Sequence, residues 1–235
     1  MDAAEDPFHV QLTGRGGEVS LRPQVTDAVR DALVAGTLVP GKIYSAPALA
    51  EMLGVSPTPV REAMIDIARE GLVEALRNKG YLIKGFSDRD LDELAALRTL
   101  IEVPTMVQVA KQASRADLEE LRPLTEMLNE TARRGALREF VSADTEFHLR
   151  ALALSGNRQL VNNVRRLRSM ARLSGLQQLA DAGELLTTAR EHGELLDLMI
   201  ARDVSGVARL MSRHIGHTRG VWAGRDLPED GTQDL

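Results

Sequence analysis

The stretch from Ser45 to Gly71, SAPALAEMLGVSPTPVREAMIDIAREG, leaves this chain few choices of fold. Its periodicity predicts two short helices joined by a tight turn. Ala48, Leu49, Met52 and Leu53 recur at helical spacing, and Gly54 stops the first helix. Ser56 is placed to cap the second helix. Pro57 follows at its first position, where a missing N–H costs nothing. Val60, Met64 and Ile67 line one face with Ala63 and Ala68 beside it, while Thr58, Arg61, Glu62 and Ile65 turn to the other. This pattern describes a helix-turn-helix. In such a unit the second helix enters the DNA major groove with its N-terminal residues foremost.

The flanks extend the reading. Val25, Ala28, Val29, Ala32 and Leu33 predict an amphipathic helix over 24–35, ended by Gly36 and a Val39-Pro40-Gly41 turn. Residues 72–76 and 81–84 are short strand-like runs around Arg77-Asn78-Lys79-Gly80, which predicts a tight hairpin with a basic tip. Gly85-Phe86-Ser87 marks a domain boundary. Beyond it the pattern predicts helices over 88–111, 114–134, 136–155, 157–179, 184–202 and 204–222. Ser87 and Ser114 are candidate N-caps, and Gly135, Gly156 and Gly183 punctuate. Pro104 and Pro123 should each kink a helix or open a turn. The expected fold is mainly α: an N-terminal winged helix-turn-helix domain followed by an antiparallel six-helix bundle. The expected organisation is a flexible arm over 1–20, a DNA-binding domain over 21–85, a helical domain over 86–222 and a disordered acidic tail over 223–235.

Composition bears on which partners such a chain can have. Only 3% of the 235 residues are aromatic, so the core must be built from Leu, Val, Ala and Met, as suits packed helices. The absence of cysteine rules out disulfides and thiolate metal sites, and agrees with a cytoplasmic location. No apolar run approaches the roughly 20 residues of a membrane span. A net charge of −5 sits poorly with DNA binding until it is divided. Residues 21–85 carry eight Lys or Arg against seven Asp or Glu, so the acidic excess lies outside the head. The field at the contact face matters more than the total.

Within the helical region, Asp144 and His148 are four apart and share a helix face. His192 and His214 lie on successive later helices. Three imidazoles and a carboxylate suit Zn²⁺, Ni²⁺ or a similar divalent ion with open coordination positions. One histidine on an amphipathic helix is ordinarily a hydrogen-bonded boundary residue, and spacing alone does not make three helices converge. A metal enzyme is the rival class. The Glu-x-x-His pairs of di-iron bundles are absent, however: Thr145 and Ala189 stand three residues before His148 and His192.

The run from Leu38 to Gly80 resembles the winged-helix domain of the GntR family of bacterial transcription regulators. The matching pieces are Gly36-Thr37-Leu38-Val39-Pro40-Gly41, Leu49-Ala50, Leu53-Gly54-Val55-Ser56, Thr58-Pro59-Val60-Arg61-Glu62-Ala63, Glu70-Gly71-Leu72-Val73 and Gly80. The sequence departs at Pro57, where many relatives carry a DNA-contacting arginine, and at Pro47. Residues 88–222 resemble the FCD ligand-binding domain of the FadR branch. That likeness rests on Arg98-x-x-Ile101-Glu102, Asp144-x-x-Phe147-His148, Gly156-Asn157, Glu191-His192 and His214. Six helices are similar to the VanR-like subgroup.

The resemblance implies a homodimer on double-stranded operator DNA. Arg61 would reach a guanine edge or a phosphate, Ser56 and Thr58 a phosphate or base, and Lys79 and Gly80 would bring the wing to the backbone. It implies a divalent metal, Zn or Ni foremost, on Asp144, His148, His192 and His214, with His217 a turn away from the last. It implies a small carboxylic acid as effector, with Arg98 as a clamp on that acid or as the partner of Glu102. Loss of DNA binding on effector binding, a repressor's response, is the family's usual direction. A purely structural metal with no small-molecule effector is the remaining alternative.

Overall fold

A computed structural model describes residues 21–34, 36–172 and 185–222. The expectations for the arm over 1–20, for Gly183, for helix over 173–179 and for the tail over 223–235 lie outside these residues. The chain divides into two compact units, one ending at Gly85 and the other beginning at Phe86.

In the first unit, α1 spans Leu21–Val34, α2 Ala46–Leu53 and α3 Pro57–Arg69. α1 starts three residues before the expected position, with Pro23 in its first turn, where the missing N–H is tolerated. Gly54 closes α2 at φ 64°, a left-handed conformation that glycine adopts without a Cβ penalty. Val25, Val29 and Leu33 of α1 bury against Val60, Met64 and Ile67 of α3. A bidentate pair fastens the same two helices: Arg22 donates to Asp66 through Nε at 2.7 Å and Nη2 at 2.6 Å. Arg30 reaches Glu70 from about two turns further along α1.

The sheet has three strands, not two. β2 (Val73–Leu76) and β3 (Gly80–Ile83) form the expected hairpin, and the two-residue β1 (Ile43–Tyr44) pairs with the other edge of β3. Asn78 takes a positive φ of 61° in the turn. Gly80 has φ 120°, and a Cβ there would lie 2.4 Å from the Tyr44 carbonyl oxygen. The wing therefore closes onto β1 only because this residue is glycine.

In the second unit, α4 spans Asp88–Gln112, α5 Arg115–Glu119, α6 Arg122–Arg134, α7 Leu137–Ala153, α8 Arg158–Arg172, α9 Leu185–Ile200 and α10 Val204–Trp222. Ser87 and Asp90 form a reciprocal capping box that starts α4. α4 runs unbroken through Pro104, so of the expected kink or turn the turn does not form. Pro104 is exposed, so the Leu100 carbonyl it leaves without a donor faces water. Pro123 does more. The segment expected as one helix over 114–134 is two, because proline suits a first helical turn and here opens α6. α4 packs along α10 and also against α7, α8 and α9, with Leu91, Leu94, Met106 and Val109 buried.

Candidate metal centre and nucleic-acid face

Four buried side chains converge inside the second unit. Asp144 and His148 come from α7, His192 from α9 and His214 from α10. One ligand atom from each lies within 4.8 Å of all the others. His148 Nε2 is 3.1 Å from His192 Nε2, which is 3.0 Å from Asp144 Oδ1. Ligand atoms about 2.05 Å from a tetrahedral ion lie roughly 3.3 Å apart, close to the two shortest of these separations, and the 3.8 Å between His148 Nε2 and Asp144 Oδ1 would have to close on an ion.

The surrounding hydrogen bonds decide what those atoms are. His192 Nδ1 is 2.7 Å from the Thr188 carbonyl oxygen, which can only accept. The ring proton therefore sits on Nδ1, and the Nε2 of the neutral ring is a bare acceptor. His214 Nδ1 is 2.8 Å from Glu191 Oε2, with the same consequence, and its Nε2 is buried with no hydrogen-bond partner. The His192 Nε2 lone pair thus faces the Asp144 carboxylate oxygen, and the His214 Nε2 lone pair is buried beside them. Such crowding is relieved by a positive centre, and one divalent ion serves all four atoms where a single proton cannot.

The surroundings disfavour protonation of His148 and His214. Burial holds His148 well below its ordinary pKa, and the charges of Arg168, His192 and His214 push the same way. Burial lowers His214 to about 4, against the opposing pull of Glu191. Burial pushes Glu191 up, but hydrogen bonds with His214 and His217 outweigh it and hold the carboxyl well below its usual range. His217 lies 3.8 Å from Glu191 through Nδ1 and is not a member of the convergent group.

A second ring of buried charge backs the cluster. Arg168 of α8 donates to Asp144 Oδ2 at 2.7 Å and to Glu102 Oε2 at 2.9 Å. Arg98 donates from Nε to Glu102 Oε1 at 2.6 Å and is 2% exposed. The pairing with Glu102 is therefore made. Its two terminal nitrogens have no hydrogen-bond partner among the described residues. Sequence reasoning did not single out Arg168. The available signal was its place on the buried stripe of α8, between Val164 and Ala171.

In the first unit Ser56, Thr58, Arg61 and Lys79 are exposed and Gly80 is half-buried. Arg61, Lys79 and Gly80 line one open cleft of about 590 Å³ between α3, the start of α2 and the wing. Ser56 and Thr58 do not line it. Ser56 occupies the N-cap position in extended conformation, yet its hydroxyl makes no capping bond. Pro57 and Pro59 explain this: the third helical N–H, a usual target of a capping side chain, does not exist here.

Comparison with known proteins agrees with this division. Residues 21–83 match the family described as bacterial regulatory proteins, gntR family, and residues 93–217 match the FCD domain. The HTH-type transcriptional regulator McbR of Escherichia coli (strain K12) is 27% identical over 209 residues, covering 86% of this chain and 95% of that protein. The Nta operon transcriptional regulator of Aminobacter aminovorans is 29% identical over 178 residues, covering 75% and 82%. The solved structure of E. coli McbR/YncC shares the fold, with a TM-score of 0.74 at 24% identity over 88% of this chain and 98% of that one.

Proposed function

The chain belongs to the gntR family of bacterial regulatory proteins and carries its FCD domain, which makes it a DNA-binding transcription regulator rather than an enzyme, and from that premise we propose that a small organic acid, bound at a metal site in the helical unit, controls its hold on operator DNA. The observation that supports the proposal is the convergence of Asp144, His148, His192 and His214, all buried, with one ligand atom of each within 4.8 Å of the others. A divalent ion held there supplies a Lewis-acidic centre for a carboxylate. The fitting ions are Zn²⁺ and Ni²⁺. Arg98, which among the described residues bonds Glu102 through Nε alone, is the proposed second contact for the acid.

The regulator acts as a homodimer in the cytoplasm, and two copies of α3 address the half-sites of a pseudo-palindromic operator. An apolar stripe on α4, with Leu97 46% and Leu100 72% exposed and Pro104 beyond them, supports pairing through the helical unit. Arg61 contacts a guanine edge or a phosphate. Ser56 and Thr58 contact phosphate or base, and Lys79 and Gly80 bring the wing to the backbone. Acid binding shifts the helical unit between two arrangements and releases the operator, the response of a repressor.

One observation favours a rival in which the metal is structural only: Arg98 is already tied to Glu102. A thermal-shift screen of small carboxylic acids, with and without Zn²⁺ or Ni²⁺, separates the two when paired with operator titrations. Metal-dependent stabilisation by an acid that also weakens operator binding supports the sensor. Stabilisation by metal with no acid changing operator affinity refutes it.

A further inference from the structure

One buried cation joins α10 to the first turn of α4. Arg219 is 8% exposed. Its Nη2 donates to the Asp88 backbone carbonyl at 2.8 Å and lies 3.6 Å from Asp88 Oδ1, while its Nε is 2.8 Å from Asp92 Oδ1. Asp88 is the first residue of α4, and the chain from Gly85 to Ser87 that precedes it joins the two units.

The other end of this contact leads to the acceptor cluster. His214 sits on α10 five residues before Arg219, about 7.5 Å along the axis. Thr218 bonds back to the His214 carbonyl at 3.0 Å within that continuous helical stretch. α4 is held a second time at Glu102, through Arg168 and so through Asp144. Glu102 lies 14 residues from Asp88, roughly 21 Å along the helix. The first turn of α4 and its middle are thus tied, through Arg219 and Arg168, to the elements that carry the cluster.

Arg219 is a poor static staple. Its acidic partners stand at the rim, with side chains 61% and 56% exposed, and rim pairs contribute about 0–1 kcal/mol. Its Nε is off-line for a hydrogen bond to Asp92, and its buried Nη1 has no hydrogen-bond partner among the described residues. A donor left unmade costs stability. It also supplies what a second arrangement of the same contact would need.

We propose that Arg219 is a positioning residue that carries movement of the His214-bearing helix to the first turn of α4, and through it to the chain entering the DNA-binding unit. The proposal rests on the metal-sensing reading. When His214 shifts to take up a ligand, α10 shifts as one body and Arg219 moves the Asp88 carbonyl with it. A two-state contact of this kind is the physical element that coupling between sites requires.

The test is amide hydrogen exchange on the full chain, with Zn²⁺ alone as the probe and metal content measured in parallel. Zn²⁺ should slow exchange over 88–95 in the wild type by at least about fivefold, the lower end of ordinary coupling. Arg219→Gln should still bind one Zn²⁺ per chain and lose that gain. Asp92→Ala, a rim change that leaves the fold alone, should reduce it in part. Wild-type protection in Arg219→Gln, or Zn²⁺ uptake by the wild type with no change over 88–95, overturns the proposal. No Zn²⁺ uptake by the wild type overturns the metal-sensing reading, and this proposal with it.

Discussion

The buried charges of the helical unit are neutralised in place: Arg98 and Arg168 share Glu102, and Arg168 also holds Asp144. Arg168→Ala should therefore destabilise this unit by about 3–5 kcal/mol in urea unfolding, because two carboxylates lose a buried partner. Glu191 acts on the cluster by fixing the His214 proton on Nδ1. Glu191→Ala should weaken metal binding by roughly 10–100-fold, read by competition with a chromogenic chelator. The depressed imidazoles set a pH dependence with a definite sign. In the unfolded chain His214 takes a proton near its ordinary 6.5, and in the folded chain only near 4. Metal-free protein should thus lose stability as pH falls through 6.5, and His214's share of the loss should end near 4. Urea midpoints at pH 8, 6 and 5 measure this, and His214→Gln should flatten the slope. Arg168 was hard to read from sequence because a lone arginine between apolar positions looks like an interruption, and only Glu102 and Asp144 on other helices reveal it as a hub. Asp144, His148, His192 and His214 stood out more readily because His is rare in this chain and four of its five, His217 included, fall on these helices.

Among elements, α3 and the hairpin were legible because their signals are local: the apolar stripe Val60, Met64, Ile67, and Asn78 with Gly80 at the turn. β1 escaped because two residues carry no period, and its existence depends on β3 offering a free edge. The division of 114–134 into α5 and α6 was half legible. Pro123 announced a break, but whether a proline kinks a helix or starts one depends on the packing around it. The wing is where one atom decides geometry. Gly80→Ala should cost about 1–3 kcal/mol in the DNA-binding unit, from strain at φ 120° and the contact with Tyr44. It should lower operator affinity and leave metal content untouched, as fluorescence anisotropy and metal analysis would show.

For the molecule as a whole, two compact units make two stability questions. Zn²⁺ at about 100 times its dissociation constant should add roughly 2.7 kcal/mol to the unit that holds the cluster and nothing to the other. Calorimetry with and without chelator should show one transition move and one stay.

One feature of the head bears on its history. α3 is anchored by Val60, Ala63, Met64 and Ile67 at its back, all fully buried, while Thr58, Arg61, Glu62 and Ile65 stand clear of the core. Anchorage and address occupy opposite sides of one cylinder. Descendants of such a chain can rewrite the address by single substitutions without loosening the hold, and so acquire new genes to govern while keeping the same scaffold.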